Sequence, residues 1–134
     1  MNIQVGQKAR RSKTVTARDV ELYAEITGDR NPLHFDPAFA AGTRFGRLVA
    51  QGGITSGMLN ALVAMDLPGP GTVFMSQTLK YLAPTYLGDT LTAEVEVLSV
   101  KPDKPVCQLK ATVTNQDGTV VLEGECWTYT MRPA

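Results

Sequence analysis

The order of hydrophobic and polar positions predicts helices in the first half of the chain. After a short extended segment, TVTARDVELYAEITG places four apolar or small residues on one helical face: Val20, Tyr23, Ala24 and Thr27. Thr16, with Asp19 three residues later, predicts a capping box at the start of this helix, and Gly28 predicts its end. Asp36-Pro37 predicts a further short helical turn.

The stretch GGITSGMLNALVAM, from Gly52 to Met65, contains no charged residue. It predicts a buried helix from about Ile54 to Met65, which ends at LPGPG because proline does not continue a helix. The stretch is too short to span a bilayer. A helix with almost no polar face needs apolar partners on nearly all sides.

Beyond this helix the pattern changes to alternation with a period of two. TVFMSQTLKYL, TLTAEVEVLSV and VCQLKATVT predict strands, and Asp117-Gly118 predicts a hairpin into a fourth, VVLEGECWTYTM. The predicted inner faces are Val73, Met75, Leu79 and Tyr81; Leu91, Ala93, Val95 and Val97; and Cys107, Leu109, Ala111 and Val113. A curved antiparallel sheet wrapped around the central helix would cover that helix. The pattern therefore favours an α+β fold, with the hot-dog arrangement as one candidate.

The composition is that of one ordinary globular domain over residues 1–134, with 43% hydrophobic and 19% charged residues. Thirteen basic residues balance thirteen acidic ones, which disfavours binding to nucleic acid or to a membrane surface. Cys107 and Cys126 lack CxxC spacing and are predicted to be reduced core residues. MNIQVGQKARRSK lacks the apolar segment of a signal peptide, so a cytoplasmic protein is expected.

The only histidine of the chain, His34, lies in the stretch TGDRNPLHFD. Pro32 restricts Asn31 to extended geometry, and Asn31 can hydrogen-bond the local backbone. We therefore predict a stiff, hairpin-like path from Asp29 to His34. Rigid placement of a carboxylate and an imidazole is what acid–base catalysis needs. A solvated loop with a capping aspartate is the alternative interpretation.

Other kinds of chemistry lack the residues that they need. One histidine and two separated cysteines cannot supply the usual three or four zinc ligands, so no metal site is expected. There is no GxSxG nucleophile motif, and GPGT lacks the helix that follows a phosphate-binding loop. What remains is a proton-transfer pair that acts on a substrate or a water.

The stretch YAEITGDRNPLHFDPAFA resembles the signature of MaoC-like (R)-specific enoyl-CoA hydratases, the hydratase 2 class. The GDxNPxH core of that signature corresponds here to Gly28, Asp29, Asn31, Pro32 and His34. VGQKAR (5–10), LPGPGT (67–72) and LGDTLTAEVEV (87–97) also fall in their expected places, so the resemblance covers almost the whole chain. Among the α+β folds that the pattern allows, this resemblance therefore favours the hot-dog fold.

The resemblance implies reversible syn hydration of a trans-2-enoyl-CoA to a (3R)-3-hydroxyacyl-CoA, a reaction that in the family commonly feeds polyhydroxyalkanoate synthesis. Asp29 and His34 would be the catalytic pair and Asn31 would support them, with the division of roles within the pair left open. No cofactor is implied, because hydration requires neither redox nor metal chemistry.

QGGIT opens the central helix with two glycines, whose backbone a substrate can approach closely. The N–H groups of a helix N-terminus can stabilise the enolate that develops on a thioester oxygen. By resemblance Gly52 is that donor, with Gly53 beside it; tight packing of the helix is the alternative. Gln51 and Asn60 replace a histidine and a hydroxyl residue found in relatives, and we expect both to support the site.

The residues that contact the acyl chain and the CoA phosphates are less well defined by the sequence. Acyl-pocket candidates, which could equally be plain core, are Met58, Leu62, Met65 and Leu67. Phosphate-binding candidates are Arg44, Arg47 and Lys80. The family also implies a homodimer, or a dimer of dimers, in which two sheets pair at an exposed edge.

Two other functions are compatible with this fold. An acyl-CoA thioesterase would usually carry a carboxylate near the central helix, but the stretch from Gly52 to Met65 has none. A non-catalytic acyl-CoA-binding subunit would need neither Asp29 nor His34.

Overall fold

One antiparallel sheet of five strands, in the order β1-β3-β4-β5-β2, packs on a fourteen-residue helix, α4. The structure is a computed structural model that describes residues 2–133. The elements in chain order are β1 (Lys8–Thr14), α1 (Ala17–Thr27), α2 (Pro32–Phe35), α3 (Pro37–Ala41), α4 (Gly52–Met65), β2 (Thr72–Tyr81), β3 (Thr90–Val100), β4 (Val106–Thr114) and β5 (Val120–Thr130). The α+β architecture expected from the sequence is confirmed.

The two inner strands β3 and β4 follow the predicted alternation. Each predicted inward residue of β3 and β4 is at most 3% exposed, from Leu91 to Val97 and from Cys107 to Val113. These side chains form one core with Leu59, Leu62 and Val63 of α4. The alternation succeeds here because both strands have neighbours on both sides and bury one face against a helix.

Strand β2 departs from the predicted alternation. Val73, Met75 and Tyr81 are 44%, 60% and 57% exposed, whereas Phe74 and Leu79 pack against the core. Phe74 and Leu79 are five positions apart, an odd spacing that a regular strand would place on opposite faces. A register shift between Phe74 and Ser76, opposite β5, exchanges the two faces. Leu79 packs against the core, and Tyr81, two positions later, lies on the same side beside Gly52 of α4 although it is half-exposed. The prediction is wrong for Val73 and Met75.

Helix α1 begins and ends as the sequence predicts. The Thr16 hydroxyl accepts a hydrogen bond from the Asp19 N–H, and the Asp19 carboxylate accepts one from the Thr16 N–H. Gly28 closes the helix in the left-handed region, at φ 81°, where a residue with a side chain would be strained. Helix α3 follows Asp36, whose carboxylate accepts from two N–H groups of its first turn.

The central helix is covered by the sheet on one side and by α1 near its N-terminus. Its buried residues are Thr55, Met58, Leu59, Leu62 and Val63, and they face the sheet. Gly57, Asn60 and Met65 are exposed. The expectation of apolar partners on nearly all sides is therefore wrong for the single chain, because one five-stranded sheet contacts only one side of a helix.

The remaining expectations concern the hairpin and the cysteines. Asn115 to Thr119 connect β4 to β5, and the Asn115 side chain accepts hydrogen bonds from the N–H groups of Asp117 and Thr119. Cys107 and Cys126 are free and buried, as predicted. Within residues 2–133, no helix is long and apolar enough to cross a membrane.

Candidate active site

The loop after α1 holds the Asp29 carboxylate through a chain of local hydrogen bonds. The N–H of Asp29 donates to the Thr27 hydroxyl at 3.1 Å. Asp29 Oδ1 accepts from the N–H of Asn31 at 3.2 Å, which is an Asx turn. One carboxylate oxygen is thus engaged by the backbone, and the other, Oδ2, is left to face His34.

His34 lies in a short helix rather than on the predicted hairpin-like path. Asn31 caps α2 by accepting from the N–H of Leu33 at 3.0 Å, and Pro32 is the first helical residue. An Asn cap followed by proline favours a helical turn, because proline is pre-organised for that position. The turn returns His34 toward Asp29, and Asn31 holds it as expected from the sequence.

The two side chains meet at 3.5 Å, between His34 Nε2 and Asp29 Oδ2. The other ring nitrogen, Nδ1, lies 2.7 Å from the carbonyl oxygen of Val49. A carbonyl only accepts hydrogen bonds, so Nδ1 carries a proton, and in the neutral form of the ring the lone pair is therefore on Nε2, beside Asp29. His34 is 10% exposed and Asp29 38%, so a substrate can reach the pair from the carboxylate side.

Val49 is itself fixed from two sides. Its N–H donates to the Leu33 carbonyl at 3.1 Å, and it forms a β-bridge with Tyr86. The next residue, Ala50, donates to the Thr85 carbonyl at 2.7 Å. The acceptor that orients His34 is therefore part of a rigid segment that leads directly into α4.

Helix α4 begins three residues after Val49 with unpaired donors. Gln51 is its N-cap but provides no side-chain cap, and within residues 2–133 the N–H groups of Gly52 and Gly53 have no hydrogen-bond acceptor. A Cβ at Gly52 would lie 2.8 Å from Tyr81 Cε1, and one at Gly53 would overlap the Tyr23 hydroxyl. Both glycines thus permit close approach, and for Gly53 the approaching group is a side chain of α1.

Gln51 connects the start of α4 to α1. It is 2% exposed, and its Nε2 donates to the Val20 carbonyl at 3.0 Å. Its Oε1 is buried without a partner among the residues described. Gln51 therefore ties the N-terminus of α4 to α1, and its supporting role in the site stays a prediction.

The other predicted residues of α4 lie away from the pair. Asn60 is exposed and stands eight residues after Gly52, roughly 12 Å along the helix. Leu62 and Leu67 are core residues, and Met65 is 59% exposed. Of the acyl-pocket candidates, Met58 lines a groove of about 460 Å³ between α1 and α4.

The chain is similar to known proteins over nearly its whole length. The family model of the MaoC-like domain matches residues 2–121. An (R)-specific enoyl-CoA hydratase from Aeromonas caviae is 40% identical over 92% of this chain and 92% of its own length. The chain belongs to the MaoC-like dehydratase family.

Further members of the MaoC-like family match over nearly the whole chain. A 3-hydroxybutyryl-CoA dehydratase from Methylorubrum extorquens is 42% identical over 92% of this chain and 78% of its own length. The structure of an (R)-hydratase from A. caviae involved in PHA biosynthesis superimposes with a TM-score of 0.93 at 38% identity, covering 97% of this chain and 98% of that one. The fold is therefore the hot-dog fold.

Sequence reasoning missed three residues that shape this MaoC-like site: Val49, Tyr23 and Tyr81. Tyr23 was placed on a helical face, but nothing in the pattern pairs it with Gly53. Tyr81 was assigned to the inner face of β2, but nothing in the pattern places its ring beside Gly52. Only the Gly-Gly pair signals that bulky groups come close to the start of α4.

Proposed function

We propose that this protein is an (R)-specific enoyl-CoA hydratase, which adds water reversibly to a trans-2-enoyl-CoA and gives a (3R)-3-hydroxyacyl-CoA. The observation that carries the proposal is the 3.5 Å approach of His34 Nε2 to Asp29 Oδ2, with the Nδ1 proton held by Val49. Two proton acceptors side by side suit the binding of one water, which can donate a hydrogen to each.

In the proposed reaction, His34 Nε2 takes a proton from this water while the oxygen attacks C3 of the enoyl thioester. The C2–C3 double bond opens toward C2, and the electron pair moves through the thioester to its oxygen as an enolate. The proton taken from the water then passes from the Asp29–His34 pair to C2, the thioester carbonyl reforms, and both side chains return to their initial state. Asp29 orients the water and shares in this proton delivery, with the division of roles within the pair left open.

The enolate oxygen needs donors as its charge develops. The N–H of Gly52, with that of Gly53 beside it, is the proposed donor, since both are unpaired at the positive end of the α4 dipole. Asp29 and His34 come from one connected loop and act on one face of the alkene. Addition of OH and H to the same face is the syn outcome.

Two alternatives are less well supported. A thioesterase needs a group that attacks the thioester carbonyl, yet α4 carries no carboxylate. Asp66, just after its end, is bound to Arg11 at 2.6 Å. A purely binding subunit gives no reason for the oriented imidazole of His34 beside Asp29.

The test uses crotonyl-CoA, a short trans-2-enoyl-CoA. The protein should bleach the ultraviolet band of the enoyl thioester without release of free thiol, and the product should be oxidised only by a dehydrogenase specific for the (3R) isomer. Thiol release at the rate of substrate loss would make the protein a hydrolase. A change limited to one equivalent would make it a binding subunit, and a (3S) product would reverse the proposed face.

The protein's own cysteines should not disturb a thiol assay. Burial raises the pKa of Cys107, and it raises that of Cys126 to about 12. Thiols react as thiolates, so both should be silent toward a disulfide dye in the folded protein.

The proposal extends to the organisation, location and metabolic role of the protein. The chain acts as one catalytic domain over residues 1–134, without a cofactor and in the cytoplasm. Two copies form a homodimer, or a dimer of dimers, through strand β2, whose outer edge is unpaired and carries exposed apolar side chains. The (3R) product suits polyhydroxyalkanoate synthesis, the process in which one structural relative takes part.

A further inference from the structure

Two arginines near the start of α4 have no carboxylate partner. Among residues 2–133, the basic side chains that pair with carboxylates are Lys8 and Arg10 with Glu94, Arg11 with Asp66, Lys13 with Asp19, Arg30 with Glu21 and His34 with Asp29. Arg44 and Arg47 are exposed and belong to none of these pairs. Their charge is therefore available to an anion from outside.

Aromatic rings hold these two side chains in place. The Arg47 guanidinium lies 4.0 Å from the centroid of the Tyr86 ring, and that of Arg44 lies 5.7 Å from the Phe45 ring. Tyr86 donates its hydroxyl hydrogen to the Phe45 carbonyl at 3.0 Å. Stacking leaves the edge of a guanidinium, with its fork of N–H donors, free for a ligand.

A cavity extends from the proposed enolate donor to Phe45, the residue directly after Arg44. It has a volume of about 260 Å³, and both Gly52 and Phe45 line it, together with Leu33, Val49 and Tyr81. Tyr86, which holds Arg47, also pairs with Val49, the residue that orients His34. A thioester bound at Gly52 can therefore extend an uncharged arm along this cavity toward the arginines.

We propose that Arg44 and Arg47 bind the phosphate groups of the CoA part of the substrate and so select CoA thioesters. This inference rests on the proposed function, because it takes the substrate to be an acyl-CoA. In such a substrate a neutral pantetheine arm separates the thioester from its anionic phosphates. A guanidinium matches phosphate with two parallel, charge-assisted hydrogen bonds.

Three lysines outside these ion pairs fit this role less well. Lys80 lies opposite Glu123 in the β2–β5 register and shares a surface groove with Glu123 and Glu125, which would repel phosphate. Lys101 and Lys104 lie in the loop whose Pro105 carbonyl accepts from Thr130. Thr130 pairs with Thr72, at the other end of β2 from Tyr81, roughly 30 Å away at the usual strand rise.

The experiment compares two substrates that differ only beyond the pantetheine arm. Crotonyl-CoA carries the phosphates, and crotonyl-pantetheine does not. We measure kcat/KM on both, and on a crotonyl thioester of an acyl carrier protein, for wild type, R44A, R47A and the double variant. K80A and K101A/K104A are the two controls. R47K retains the charge but loses the planar fork, and it separates charge from geometry.

The quantity that decides is the ratio of kcat/KM for the CoA thioester to that for the pantetheine thioester. Each arginine lost should lower this ratio about tenfold, through KM, since each removes charge-assisted hydrogen bonds. The dependence of kcat/KM on salt should flatten in the double variant. K80A and K101A/K104A should keep the wild-type ratio.

Three results would overturn this inference. An unchanged ratio of the two kcat/KM values in the double variant would show that the arginines do not select the phosphates. This holds even if the variant loses activity on both substrates because the Tyr86 segment has loosened. A drop in K101A/K104A instead would assign the phosphates to the distant loop. A loss of activity confined to a crotonyl thioester on an acyl carrier protein would make the arginines a protein-docking surface.

The same experiment separates this inference from the proposed function. Turnover of crotonyl-pantetheine by the wild type supports the proposed function in each of these cases. Turnover of neither substrate would contradict the proposed function itself.

Discussion

At His34, one backbone hydrogen bond decides which ring nitrogen can act as a base. The Val49 carbonyl accepts a hydrogen bond from Nδ1 at 2.7 Å, so Nε2 is the ring nitrogen that faces Asp29 and can take up a proton. Asp29 in turn has one oxygen engaged by the Asn31 N–H and one oriented to the ring. The arrangement needs only residues 29–34 and one acceptor that precedes α4 by three positions.

Replacing either member of this pair should abolish turnover without unfolding the protein. His34→Ala removes the only imidazole of the chain, and Asp29→Asn keeps the acceptor for the Asn31 N–H but loses the carboxylate. We expect kcat on crotonyl-CoA to fall by about 10²–10⁴-fold in each. Thermal melting provides the control for folding, and a well-folded variant with near-normal kcat would remove that residue from the mechanism.

Gly52 allows its N–H to be removed with little change in backbone geometry. Gly52 is the first residue of α4, where proline is well tolerated, and Gln51 before it has φ −63° and ψ 136°, which proline accepts. We expect Gly52→Pro to lower kcat by about 10²–10³-fold, the usual cost of one lost enolate donor.

Gly52→Ala is the matched control for that variant. It adds the same Cβ beside the exposed Tyr81 ring but retains the N–H. Equal losses of activity in the two variants would mean that crowding against Tyr81, and not the missing donor, is responsible.

At the scale of elements, the start of α4 is held against α1 by two contacts that span about thirty positions of sequence. The Gln51 side chain donates a hydrogen bond to the Val20 carbonyl. The Tyr23 hydroxyl occupies the space that a Cβ atom at position 53 would take. Neither contact belongs to the reacting groups proposed above. Together they set where the unpaired N–H groups of α4 point.

A double-mutant cycle measures this packing. Gly53→Ala should destabilise the protein by about 1–3 kcal/mol, the usual cost of overpacking, because the new methyl meets the Tyr23 ring. In a Tyr23→Ala background the same change should cost close to nothing, since the ring is gone. Urea unfolding gives both values, and equal costs in the two backgrounds would show that Tyr23 is not the obstacle.

At the scale of the whole molecule, the two edge strands of the sheet, β1 and β2, and one side of α4 remain uncovered. Strand β2 is an edge strand of ten residues, and Val73, Met75 and Tyr81 are exposed on it. A long, apolar edge is unusual in a monomer, because unpaired backbone groups there recruit another strand. A second copy of the chain is the proposed partner.

Charges on this edge should separate the two copies. We expect the Val73→Lys/Met75→Lys variant to be monomeric by analytical ultracentrifugation at concentrations where the wild type is dimeric. Leu98→Lys is the matched control, since Leu98 is 39% exposed on β3, which has partners on both sides. A monomeric wild type, or a variant that stays dimeric, would contradict an interface through β2.

The sequence by itself determined those features that depend on neighbours a few positions away. The caps of α1, the uncharged α4, the buried faces of β3 and β4, and the rigid turn from Asp29 to His34 all follow from local spacing and side-chain chemistry. The structure then confirmed them, apart from the helical form of that turn.

The tertiary structure decided what depends on contacts between distant segments. The bulge in β2 exchanged its faces because the strand had to fit β5, and no local pattern announces that shift. The position of the proton on His34 depends on the Val49 carbonyl. The need for glycine at the start of α4 depends on Tyr23 and Tyr81. Arg47 differs from Lys80 because it stacks on Tyr86, whereas Lys80 lies opposite Glu123. Periodicity describes which face of an element is buried, whereas the identity of the side chain that meets it is set only when the elements pack.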